Sequence, residues 1–149
     1  MARRPGPKSS CFGYAPHAPT RKYLSSARPL VSVVDDDESV RESLPDLLRE
    51  LGFEVEAFSS AEEFLESDPE GRIHCLILDV SMPGMTGPEL QRHLATRGMK
   101  IPIIFITAQA DDNLRPSLLE QGAVECLFKP FAESELSNAL TAALGSSGA

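Results

Sequence analysis

Between residues 30 and 144, short apolar runs alternate with longer segments whose apolar residues recur every three or four positions. The runs are LVSVV (30–34), FEVEAF (53–58), HCLILDV (74–80), IPIIFIT (101–107) and VECLF (124–128). Rich in Val, Ile and Phe and five to seven residues long, they predict five strands. The first, third and fourth are almost continuously apolar, as strands covered on both faces of a parallel sheet are. The second alternates, with Phe53, Val55 and Ala57 set against Glu54 and Glu56. That pattern predicts an edge strand with one partly wet face.

The intervening segments carry helical spacing. Val40, Leu44, Leu47, Leu48 and Leu51 line one face of a first helix that Gly52 terminates. Ser59 or Ser60 caps a second helix carrying Ala61, Phe64 and Leu65. Leu90 and Leu94 mark a third ending near Gly98, and Leu114, Leu118 and Leu119 a fourth ending at Gly122. Leu136, Ala139, Leu140, Ala143 and Leu144 mark the fifth. One conflict stands inside the first helix, where Pro45 removes a backbone donor at a cost of about 3 kcal/mol. Because the leucine face continues past it, the helix is expected to kink and persist.

Five strands alternating with five helices predict an α/β fold, a (βα)5 open parallel sheet with helices on both faces. Ligands of such sheets bind beyond the carboxyl ends of the strands. Strand one runs into Asp35-Asp36-Asp37-Glu38, strand three into Asp79, strand four into Thr107-Ala108-Gln109 and strand five into Lys129-Pro130-Phe131. The crevice therefore gathers at least three carboxylates, a hydroxyl and an ammonium. Carboxylates that close raise one another's pKa unless a cation intervenes. A hard ion such as Mg²⁺, which takes carboxylate, carbonyl and water oxygens, suits that set. Taken alone, the acidic run would read as a solvated helix N-terminus. Successive placement at four strand ends favours a site.

Four stretches in this order, VVDDDESVRESL, LILDVSMPGMTGPEL, FITAQAD and GAVECLFKPF, resemble the receiver domain of two-component response regulators. The nitrogen-fixation transcription-regulator type is the nearest likeness, and it covers residues 30 to about 144. The resemblance implies a doubly wound, flavodoxin-like sheet of strand order 2-1-3-4-5 and a phosphoaspartate switch in a signalling protein rather than an enzyme. It implies that Asp79 accepts the phosphoryl group. Asp35 and Asp36 would form the Mg²⁺-binding acidic pair, Asp36 as direct ligand, with Asp79 also ligating the ion and Ser81 adding its backbone carbonyl. Thr107 would hydrogen-bond the phosphoryl group, Lys129 would pair with it, and a cis peptide before Pro130 would aim the lysine.

A sensor histidine kinase or phosphotransfer protein is the implied partner, with a homodimer possible through the helix-four, strand-five, helix-five face. Ser81 and Gln109 stand where the family tunes phosphoryl lifetime. One departure is Cys126, where an aromatic that rotates inward with the threonine is usual. It reads as a small buried core residue rather than a redox-sensitive thiol, and Phe128 is the aromatic that could compensate. Two other functions compete. One is a constitutive interaction module of the same fold. The other is an aspartate-nucleophile phosphatase, which would need a second acid where Ser81 stands.

Charge and composition refine the domain picture. The 149 residues suit one compact domain, with 42% hydrophobic and 24% charged residues. No uninterrupted apolar stretch approaches the ~20 residues needed to span a bilayer. Residues 1–28 hold six of the 14 basic residues, four prolines and no acid, which leaves 8 basic against 22 acidic residues in 29–149, a balance of −14. So acidic a body is a poor direct ligand for nucleic acid. The first 28 residues read as a disordered tail, an early start, or a basic arm for an acidic partner. Residues 29–145 are the expected receiver domain and 146–149 a flexible end, the start of a linker or a terminus; a helix-turn-helix output domain could follow by family analogy. Cys11, Cys75 and Cys126 suggest neither a disulfide framework nor a zinc site, which fits a reducing, cytoplasmic setting. His17, His74 and His93 lack metal-ligand spacing and read as structural or solvated.

Overall fold

A computed structural model describes residues 28–145 except Glu70 and Ala110. Of the basic segment 1–28 only Arg28 is among the described residues; the rest of it, with Cys11 and His17, and residues 146–149 lie outside them. The elements follow the expected alternation: β1 (Leu30–Val34), α1 (Glu38–Glu50), β2 (Glu54–Phe58), α2 (Ala61–Glu66), β3 (Cys75–Asp79), α3 (Gly87–Thr96), β4 (Ile103–Thr107), α4 (Leu114–Glu120), β5 (Glu125–Phe128) and α5 (Glu133–Leu140). A π-helical turn, Thr141–Gly145, follows α5. All strands pair in parallel, in the order β2-β1-β3-β4-β5.

Alternation along the central strands builds two cores. Leu76, Leu78, Ile103 and Phe105 face α2, α3 and α4 through Phe64, Leu90, Leu94 and Leu118. Cys75, Ile77, Ile104 and Ile106 face α1 and α5 through Leu44, Leu48, Leu136 and Leu140. Both faces of β3 and β4 are therefore dry, which explains their unbroken apolar runs. Each fully buried side chain contributes roughly 1.5–3 kcal/mol, so these strands are the most firmly held part of the frame.

Two local expectations are refined. The second strand is an edge, but its alternation differs from the one read in the sequence. Phe53 and Val55 pack on the α1 side, Ala57 is exposed, and Phe58 joins the opposite core. The physical reason lies in α1: Phe53 N donates to Leu48 O beside its last turn, which seats the start of β2 against that helix. At the far end, Phe58 meets Phe64 edge-on, ring centroids 5.5 Å apart, and anchors α2. Helix α1 runs unbroken through Pro45, with Leu44 and Leu48 on either side of the proline buried. Packing of the leucine face outweighs the lost donor.

Candidate functional site

Register brings the strand ends together. Val34 pairs with Leu78, Asp79 with Ile106, and Thr107 with Phe128. Asp35, Asp79, Thr107 and Lys129 therefore stand at the carboxyl edge on four neighbouring strands. Carboxylate oxygens of Asp35, Asp36 and Asp79 all lie within 4.8 Å of one another. Lys129 Nζ reaches 2.9 Å from Asp35 Oδ2 and 3.8 Å from Asp79 Oδ1. The Lys129–Pro130 peptide bond is cis, as the resemblance implies.

The three consecutive aspartates take three different positions. Asp37 is the N-cap of α1, and its Oδ1 accepts from the Ser39 amide at 3.0 Å and the Ser39 hydroxyl at 2.8 Å. Those two bonds hold its carboxyl below the usual carboxylate range. Asp35 is fully buried and fixed at every polar atom. Oδ1 accepts from the Asp37 amide, Oδ2 from Lys129, its carbonyl from Arg41 Nη1 at 2.9 Å, and its amide donates to Phe58 O. Asp36 is exposed and turns the third carboxylate toward the mouth of the cluster.

Asp79 is 5% exposed. Burial, then the neighbouring Asp35 charge, pushes its carboxyl from 3.8 up to about 7, while Lys129 pulls the other way. For Lys129 burial alone would lower the pKa, yet the Asp35 hydrogen bond and the charges of Asp35 and Asp79 leave it raised. Too little cation faces too many carboxylates here, and that imbalance is what a divalent ion would correct.

Thr107 is buried, its Oγ1 accepts from the Gln109 amide at 3.1 Å, and its carbonyl accepts from Lys129 N at 2.7 Å. Lysine and threonine are thus locked together at the rim. Ser81 lies on the exposed β3–α3 loop, two residues past Asp79. Cys126 is buried in the core beneath α4, and burial raises its thiol pKa. An unreactive packing role follows. Cys75 is likewise free and buried, its thiol pushed up to about 12 by burial. His74 Nδ1 accepts from Leu30 N at 3.0 Å, the structural role expected of it.

The sequence left Arg41 unmarked and showed Gly87 only as a glycine shaping the loop after Asp79. Arg41 holds the Asp35 carbonyl, and no spacing rule marks it. Gly87 had a signal: a glycine opening a helix, between the Thr86 cap and Pro88, is a weak choice unless backbone must approach closely. A Cβ there would collide with the Asp79 carbonyl oxygen and sit 3.0 Å from Phe105 Cε1 and 3.1 Å from Val80 Cα. Gly87→Ala is expected to lose about 1–3 kcal/mol in urea unfolding, because backbone under the site must shift. An unchanged midpoint would show that the loop yields without cost.

Residues 31–141 match the response regulator receiver domain family. The response regulator protein TodT of Pseudomonas putida is 42% identical over 123 residues, 83% of this chain and 54% of its own length. The transcriptional regulatory protein FixJ of Azorhizobium caulinodans is 38% identical over 117 residues, 78% of this chain and 56% of its own. The chain thus spans about half the length of the curated relatives it matches. The solved structure of response regulator StyR superposes with a TM-score of 0.74 at 48% identity, over 80% of this chain and 61% of that one. Among the described residues no helix is long and apolar enough to cross a membrane. Sheet order, acidic edge and sequence match coincide: the chain belongs to the receiver domains of two-component response regulators.

Proposed function

We propose that Asp79 accepts a phosphoryl group from a sensor histidine kinase or phosphotransfer protein, and that the protein works as a cytoplasmic switch rather than a turnover enzyme. An Asp79 carboxylate oxygen attacks phosphorus, the bond from phosphorus to the donor imidazole nitrogen breaks, and the electron pair leaves with that nitrogen. The convergence of three carboxylates and Lys129 on one buried edge carries this reading. Asp36 is the direct metal ligand, because it is exposed while both oxygens of Asp35 are already engaged. The Ser81 carbonyl completes the protein's contribution. Mg²⁺ bound there would neutralise charge on the transferring oxygens. Lys129 supplies the second positive charge, and Thr107 is placed to hydrogen-bond the phosphoryl group.

Acetyl phosphate with Mg²⁺ is expected to label the wild type and leave Asp79→Asn unlabelled. Equal labelling of the two would overturn the assignment. Phosphorylation then shifts a pre-existing equilibrium and reshapes the α4–β5–α5 face, the proposed homodimer surface. A second reading rests on Cys126, whose buried thiol takes the place of the usual mobile aromatic. On that reading the domain is a constitutive interaction module, and sedimentation would show the same oligomeric state with and without beryllofluoride.

A further inference from the structure

Seven residues separate β3 from α3, and Ser81, whose carbonyl is the proposed metal ligand, is the second of them. Their two ends are pinned together by the Gly87 amide, which donates to Val80 O at 3.0 Å. Met82 anchors the first half by burying its side chain in the core. In the second half Met85 packs partly against the same core, and its backbone is held from outside. Glu62, on α2, accepts the Met85 amide on Oε2 at 3.1 Å across 23 residues of sequence. The same oxygen lies 3.0 Å from where a Gly84 Cβ would be, and Gly84 has φ +75°. A bare, left-handed residue therefore lets the carboxylate sit down on the loop.

Nothing in α2 itself demands this. The helix is already capped by Ser60, whose Oγ accepts from the Glu63 amide, and Glu63 accepts in turn from Ser59. Glu62 is spare to the helix and committed to the loop. Phe64 and Ala61, fully buried on the same short helix, give it a fixed base.

We infer that Glu62 is a positioning residue for metal-dependent phosphorylation at Asp79: by clasping Gly84–Met85 it sets where the loop presents the Ser81 carbonyl. This rests on the proposed roles of Asp79 and Ser81. Without the clasp the Gly84–Met85 half of the loop samples other conformations, and the carbonyl is at its ligand position for only part of the time. Metal affinity falls by that fraction. Once metal is bound, the chemistry at Asp79 is unchanged.

The test measures acetyl-phosphate labelling against Mg²⁺ concentration for wild type, Glu62→Ala and Glu62→Gln, together with direct Mg²⁺ titration and amide hydrogen exchange by NMR without phosphodonor. Glu62→Ala is expected to raise the half-saturating Mg²⁺ concentration about three- to tenfold, the range of one lost hydrogen bond. Its labelling rate at saturating Mg²⁺ should match the wild type, and its Met85 amide should exchange faster. Glu62→Gln keeps an oxygen acceptor and should restore most of the affinity. Wild-type Mg²⁺ affinity in Glu62→Ala, despite faster Met85 exchange, would overturn the inference. So would an equal loss in Glu62→Gln, or a loss confined to the saturated rate. Failure of the wild type itself to label, or labelling of Asp79→Asn, would instead sink the reading on which this rests.

Discussion

At pH 8 and without divalent cation, Asp79→Asn is expected to be more stable than the wild type by about 2–4 kcal/mol. Burial first, and the Asp35 charge second, raise the Asp79 carboxyl from 3.8 to about 7. Between those two values the native state holds a proton that the unfolded chain has released, so wild-type stability falls as pH rises through the window. Above about 7 the native carboxylate is charged beside Asp35, and the whole penalty is present. Asparagine keeps the shape without the charge. Its advantage should therefore be full at pH 8, smaller at pH 6, and nearly gone at pH 4.

Urea unfolding at those three pH values measures it. Adding Mg²⁺ at pH 8 should narrow the gap, because the wild type gains binding energy and the variant has lost a ligand. A gap independent of both pH and Mg²⁺ would mean that packing, not charge, separates the two proteins.

How far the sequence led follows from which forces leave a local trace. Burial on both faces writes itself into Leu76-Ile77-Leu78 and Ile103 to Ile106, so β3 and β4 were plain. Asp79 and Lys129 were found because parallel sheets place their chemistry at the strand ends. Fine packing left weaker marks. The alternation of β2 implied that Ala57 faces inward, but how far α1 extends over an edge strand is a tertiary fact. The clasp between Glu62 and the Met85 amide has no signature at all, since any residue has an amide to offer. Arg41 is similar, because its partner is the carbonyl of Asp35 and not its side chain. Side chain to side chain pairing at strand ends is legible; side chain to backbone support away from a helix cap is not.

Lys129→Ala is expected to cost about 3 kcal/mol at pH 8 without Mg²⁺, the loss typical of removing one partner from a buried pair. Asp35 is fully buried and would lose the ammonium 2.9 Å away. Asp79 would lose one at 3.8 Å. The lysine's raised pKa means that its contribution is complete below its ordinary 10.5 and fades only as pH rises through the higher folded value. Across pH 5–8 the change in the penalty should therefore come from Asp79, which is neutral at the lower end. Lys129→Met keeps an apolar stem over the site and separates lost charge from lost cover.

The informative variant is the double one, Asp35→Asn with Lys129→Met, which removes both partners. Its stability should return to within about 1 kcal/mol of wild type, since replacing a whole buried pair is often close to neutral. Its acetyl-phosphate labelling should remain at least about tenfold below wild type, because charge on the transferring oxygens is no longer neutralised. Recovery of labelling along with stability would show that Lys129 serves only the fold. Recovery of stability alone would mean that the pair is retained for what it does to Asp79, in a site where the folded state gains little from keeping it.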